Sequence, residues 1–343
     1  MGDTEAILGV AVVGLGVGEQ HLRAYLGQNA CRLRWVYDTD ETRSQEIVRT
    51  YGVGTQAIDY NQVLDDPKTA IVSIASYDDA HAEQVVAALE AGKHVFVEKP
   101  LCRTPDELEK IRTAWMSNRE CHLRSNLVLR AAPLYRWLRD AIQNDVVGDI
   151  YALDGDYLYG RLEKITKGWR KNVADYSVMQ GGGVHMVDLM LWLTGQRPAA
   201  VFSSGNRIST VGTEFQFSDY VVANYSFDSG LIGRISANFG CMHRHQHVLR
   251  VFGTKASFVY DDQGPRLYET RDPSDGPKRI SENPLPVDKG DLIPGFVRSI
   301  LGNDDPALAV YRELSLIQTC LSADLSLRRG EEVHLEYGFR PDC

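Results

Sequence analysis

The chain has 343 residues, 43% of them hydrophobic and 24% charged, the profile of a globular protein long enough for two domains. That composition excludes a disordered, collagen-like or low-complexity chain. Lys+Arg total 37 against 46 Asp+Glu, a net charge of −9 with no basic block long enough to track phosphates, so nucleic acid is not an expected partner.

No apolar run approaches the ~20 residues that cross a bilayer, so no membrane association is expected. Residues 1–6 lack the positive start of a signal peptide. Cysteines stand at 31, 102, 121, 241, 320 and 343 with no C-x-x-C pair, which points to a reducing, cytoplasmic setting and to no zinc or redox motif.

The first third alternates strand and helix. Residues 7–13 form an apolar run of the length of a buried parallel strand. Helices are predicted over 19–28, 40–51, 80–91 and 104–117, and strands over 33–38, 70–75, 94–97 and 121–129. Gly92 suits a helix C-terminus, and Thr104, Pro105 and Glu107 form a capping-box start. Such alternation implies right-handed βαβ units, a parallel sheet, and a ligand crevice at the carboxyl ends of its strands.

After about residue 130 the texture changes. A helix over 133–144 precedes strand-like runs at 150–159, 200–206, 220–227, 231–239, 248–252 and 256–260, expected to form an antiparallel sheet. Residues 264–286 read as a long surface loop and 307–328 as a final helix. The division is therefore a dinucleotide-binding Rossmann domain over 1–126, onto which the last helix could pack back, and an α+β substrate and oligomerisation domain over 127–343.

Three motifs carry chemistry. Gly14, Gly16 and Gly18, with Val17 between them, follow the first strand and precede a helix. Glycines there let backbone N–H groups approach a pyrophosphate, although the usual third glycine would stand at Glu19. Asp38 closes the second strand and would accept hydrogen bonds from the adenosine ribose while repelling a 2′-phosphate, which favours NAD over NADP. At the end of the fifth strand, Glu98-Lys99-Pro100 offers a lysine able to stabilise an alkoxide, with a solvated turn as the plain alternative. Third, Gly181-Gly182-Gly183 reads as a flexible entry into a helix carrying His185 and Asp188 on one face. A neutral histidine there could take a carbinol proton, and a buried structural histidine is the alternative.

Together V-G-L-G-V-G-E-Q-H (13–21), A-G-K-H-V-F-V-E-K-P-L (91–101) and G-G-G-V-H-M-V-D-L-M-L-W-L-T-G (181–195) resemble the glucose–fructose oxidoreductase / inositol dehydrogenase / MocA family. The resemblance implies an open-faced sheet in the second domain, a homodimer or homotetramer formed through it, and NAD-dependent hydride transfer at a secondary hydroxyl of a sugar, sugar nucleotide, aminosugar or cyclitol. A non-catalytic NAD- or sugar-sensing regulator, or a glycosidase or lyase using NAD transiently, are the alternatives. Carried over, Lys99 and His185 are the catalytic pair. Ser76, Tyr77 and His81 stand where the family contacts the cofactor, as do Glu98 and Lys99. Arg130, Tyr157, Tyr159, Trp169, Arg170 and Asp188 are substrate-pocket candidates. The family pattern D-x-x-x-H-x-x-D has Gly181 in its first place, and Tyr157, Tyr159, Tyr176 or the substrate itself are candidates for the missing polar group. Cys241, His243, His245 and His247 would share one strand face, a pattern expected to edge a pocket or an interface rather than bind a metal.

Overall fold

A computed structural model describes residues 7–338, so residues 1–6 and Cys343, read above for targeting and cysteine chemistry, lie outside the described residues. The chain divides into two compact units: residues up to Val128 with Pro286–Leu314, and Leu129–Leu285 with Ser315–Gly338. The stretch 286–314, expected with the second domain, joins the first.

The first unit runs β1 (Leu8–Val13), α1 (Gly18–Leu26), β2 (Cys31–Tyr37), α2 (Glu41–Tyr51), β3 (Thr55–Gln56), α3 (Tyr60–Asp65), β4 (Thr69–Ile74), α4 (His81–Glu90), β5 (His94–Val97), α5 (Pro105–Ser117) and β6 (Leu123–Ser125). All six strands are parallel, in the order β3-β2-β1-β4-β5-β6. The order reverses beside β1, so the crevice opens where β1 and β4 end. Local chemistry sets the helix ends. Asp40 accepts from Thr42 and Arg43 N–H, Gly52 closes α2 at φ +64°, and Thr104 with Glu107 completes a capping box. The two-residue β3 and six-residue α3 are too short to show a periodicity. β6 stops at Ser125 and a 3₁₀ turn, Val128–Ala131, follows, where a strand to 129 was expected.

The second unit contains α6 (Pro133–Gln143), β7 (Ile150–Leu158), α7 (Glu163–Thr166), a 3₁₀ turn at Trp169–Asn172, a π-helical turn at Met179–Gly183, α8 (Val184–Thr194), β8 (Ala200–Asn206), β9 (Tyr220–Ser226), β10 (Ile232–Asn238), β11 (Gln246–Gly253), β12 (Ser257–Asp261), β13 (Gly264–Tyr268) and β14 (Lys278–Arg279). Later come α9 (Ile293–Leu301), α10 (Ala307–Arg329) and β15 (Val333–His334). The sheet has nine strands in the order β14-β13-β12-β11-β7-β10-β9-β8-β15. It is mixed rather than purely antiparallel, because β7 and β10 pair in parallel. The expected loop 264–286 holds β13 and β14, held in by Arg266, whose guanidinium grips Asp261 at 2.8 and 2.9 Å. Helix α8 lies close on the sheet because Gly155 and Gly233 leave room for Met186 and Met190. Ile293, Phe296, Val297 and Ile300 of α9 enter the first unit's core beside Val10, Val12, Leu22 and Phe96. Among the described residues no helix is long and apolar enough to cross a membrane.

Candidate active site

In the first unit the glycines do three different jobs. Gly14 has φ +79°, and a Cβ there would lie 2.5 Å from the backbone of Ala75 and Ser76, so only glycine fits. Nothing lies within 4 Å of a Cβ at Gly16, which leaves that side of the loop open to a ligand. Gly18 opens α1, and a Cβ there would meet Val12 at 3.1 Å and Ala75 at 3.3 Å. It therefore does the close helix-on-strand packing ordinarily left to a glycine one place later. No side chain caps the first-turn N–H groups of α1.

Asp38 stands half-buried at the end of β2. Its Oδ2 accepts from Leu15 N–H at 2.6 Å and its Oδ1 from Asp40 N–H at 2.9 Å. Arg43, paired with Glu19 and Glu46, donates to Leu15 O at 3.2 Å. Asp38 and the first turn of α2 thus hold the glycine loop at Leu15 by both its N–H and its C=O. An open loop, an uncapped helix start and a carboxylate at the end of β2 fit a dinucleotide.

The turns after β4 and β5 are tied together. His81 is fully buried, with Nδ1 2.7 Å from Pro100 O and Nε2 3.1 Å from Ser76 O, so its ring braces the two turns. Ser76 donates to Gln84 at 2.6 Å, while Tyr77 is 62% exposed. Glu98 joins a polar network missed by sequence reading: His21 Nε2 at 3.2 Å and Asn126 Nδ2 at 2.8 Å meet its Oε1, and His21 Nδ1 reaches Ser73 Oγ at 3.0 Å. Its signal was polar residues in apolar settings, Ser73 inside β4 and His21 in the first turns of α1. Burial alone would raise the Glu98 carboxyl, but His21, Lys99 and Asn126 outweigh it and hold it at about 2. A depressed carboxylate stabilises the fold above its unfolded value near 4.5 and loses that contribution as pH falls toward 2. Glu98→Gln is therefore expected to cost about 3 kcal/mol at pH 7 and under about 1 kcal/mol at pH 2.5. Denaturant midpoints of both proteins across that pH range check this, and a pH-independent difference would contradict it.

In the second unit the glycine run is a buried π-helical turn, not a flexible entry. His185, 8% exposed, stacks on Tyr157 at 6.1 Å and meets His247 edge-on at 5.8 Å. Tyr157 and Tyr159, expected on one strand face, lie 6.0 Å apart and both are buried. Burial, then His245 and Arg161, push the His247 imidazole down to about 3, and burial likewise lowers His245, so both are neutral near pH 7. Asp188 is 1% exposed, and Arg130 grips it through Nε at 3.0 Å to both oxygens and through Nη2 at 2.5 Å. These two substrate candidates are thus partners of each other. The Arg170 guanidinium lies 4.5 Å over the Trp169 ring and donates to Tyr176 Oη at 3.1 Å.

The cysteine–histidine cluster does not share one strand face. Residues 241–245 are irregular and β11 begins at Gln246. His243 instead pairs with Asp262 at 3.0 Å and Cys241 donates to Asn238 O. Only His245 and His247 come together, 4.9 Å apart beside Tyr157.

Residues 8–123 match the model of an oxidoreductase family with an NAD-binding Rossmann fold, and residues 135–259 match that of the GFO/IDH/MocA C-terminal domain. D-glucoside 3-dehydrogenase of Escherichia coli is 28% identical over 287 residues, 77% of this chain and 78% of that protein. Levoglucosan dehydrogenase of Pseudarthrobacter phenanthrenivorans is 26% identical over 298 residues, 77% of this chain and 75% of that one. A levoglucosan dehydrogenase structure in complex with NADH superposes with a TM-score of 0.84 at 20% identity, covering 96% of this chain and 99% of that one, a likeness of fold.

Proposed function

This chain belongs to the GFO/IDH/MocA family of NAD-binding oxidoreductases, and from that premise we propose that it oxidises or reduces one secondary ring position of a sugar or cyclitol. The observation that carries the reading is the open glycine loop anchored by Asp38 through Leu15 N–H. The relatives named for dehydrogenation of levoglucosan and of glucosides support the substrate class. When bound, the dinucleotide supplies the hydride acceptor or donor. Gly14, Gly16, Val17 and Gly18 would hold its pyrophosphate, and Asp38 its ribose. Lys99 donates to the reacting oxygen and favours its alkoxide character, while His185 takes or returns the carbinol proton. Asp188 fixes Arg130 for the substrate side, and Tyr157 offers an aromatic wall beside His185.

We further propose a homo-oligomer formed through the open face of the nine-stranded sheet, which exposes Tyr151, Phe202 and Ile232, in a reducing cytoplasm. The deciding experiment is a screen of levoglucosan, alkyl glucosides, myo-inositol, aminosugars and nucleotide sugars with NAD, read by NADH fluorescence. Turnover of at least one polyol is expected. Sugar binding without turnover of any would overturn the reading in favour of a regulator, and product without net NADH in favour of transient use of NAD.

A further inference from the structure

The three glycines before α8 are the places where three side chains enter. A Cβ on Gly181 would lie 2.1 Å from Tyr176 Oη, one on Gly182 2.3 Å from the Tyr157 ring, and one on Gly183 2.5 Å from Met179 Sδ. The phenol oxygen of Tyr176 therefore fills the volume into which a side chain on residue 181 would project. Residue 181 precedes His185 by four positions, about one helical turn. A polar oxygen thus occupies the side-chain volume of residue 181, delivered from position 176.

That oxygen is held in place. The Tyr176 ring is buried, 5% exposed, and lies edge-on to Phe215 at 5.8 Å and to Phe239 at 6.3 Å. Arg170 Nε donates to its hydroxyl at 3.1 Å, and the guanidinium is itself seated over Trp169. Acceptance from Arg170 fixes the position of the oxygen. A phenol can both donate and accept, whereas an ionised carboxylate only accepts. Pre-orientation of this kind lowers the entropy lost when a ligand hydroxyl is aligned.

We propose that the Tyr176 hydroxyl, fixed by Arg170, is a substrate-orienting residue that hydrogen-bonds a hydroxyl oxygen of the polyol next to His185. The proposal rests on the dehydrogenase reading above. Tyr176→Phe keeps the ring in its cradle and removes only the oxygen. With the sugar turned over fastest in the screen, kcat/KM is expected to fall 10- to 100-fold, with the NADH dissociation constant unchanged and Tm lowered by only a few degrees for the lost Arg170 bond. Gly181→Asp alone is expected to be impaired, because its Cβ meets the phenol. Combined with Tyr176→Ala, Gly181→Asp is expected to recover activity above that of Tyr176→Ala alone, by returning an oxygen to the same volume. A Tyr176→Phe enzyme within twofold of the parent overturns the proposal, and so does a double variant no better than Tyr176→Ala. No turnover of any polyol by the parent would instead sink the dehydrogenase reading, so the two failures are distinguishable.

Discussion

Lys99→Ala is expected to lower kcat on the true substrate by roughly 10³-fold while NADH binding stays within about threefold. Lys99 stands two residues past the end of β5, at the carboxyl edge of the parallel sheet, where ligands of such sheets bind. Its ammonium is one of the charges that hold Glu98 ionised, so its field reaches the groups at the end of β5. A fixed positive charge beside an oxygen that gains negative character in the transition state contributes several kcal/mol there and much less to ground-state binding. The loss therefore belongs in kcat, not in cofactor affinity. Lys99→Arg would keep the charge but not its point-like geometry, and is expected to recover only part of the rate. Single-turnover rates with titrated NADH binding test this. A Lys99→Ala protein with near-parental kcat would remove the lysine from the chemistry.

For Asp38→Ala, the expectation is a loss of about 100-fold in NAD affinity but less than about 10-fold in NADP affinity. Two effects combine. Removing the carboxylate releases Leu15 N–H, which loosens the glycine loop for either dinucleotide. Removing the proposed acceptor of the ribose 2′-hydroxyl harms NAD more than NADP, which lacks that hydroxyl, since each charge-assisted hydrogen bond is worth about 1.5–3 kcal/mol. With NADP that loss is offset by relief of repulsion against the 2′-phosphate. The ratio of the two dissociation constants, measured by NADH and NADPH fluorescence titration, isolates the ribose contact from the loop anchor. An equal loss for both would leave Asp38 as a loop anchor only.

Much of the first unit was legible because its signals are local. Apolar runs of strand length, the Thr104–Glu107 capping box and Gly52 each act within a few residues, and the elements expected from β1 through α5 appear within two residues of their predicted ends. The glycine loop was legible too, though the job of Gly18 was not, since it depends on how near Val12 and Ala75 come. Less was legible around His185. The glycine run looked flexible in one dimension, yet it is buried beneath Tyr176, Tyr157 and Met179. The grip of Arg130 on Asp188, 58 residues away, had no local signal.

The sequence by itself determined the alternation of strand and helix, the dinucleotide loop and its acidic companion, because those follow from periodicity and from backbone demands that few residues satisfy. Only the tertiary structure decided that 286–314 returns to the first unit, that β7 and β10 run parallel, that His21 and Asn126 share Glu98, and that a tyrosine oxygen fills the space beside Gly181. Each of these joins residues far apart in the chain, or depends on the volume a missing side chain leaves behind. Neither distance in space nor empty volume has a signature in local residue order.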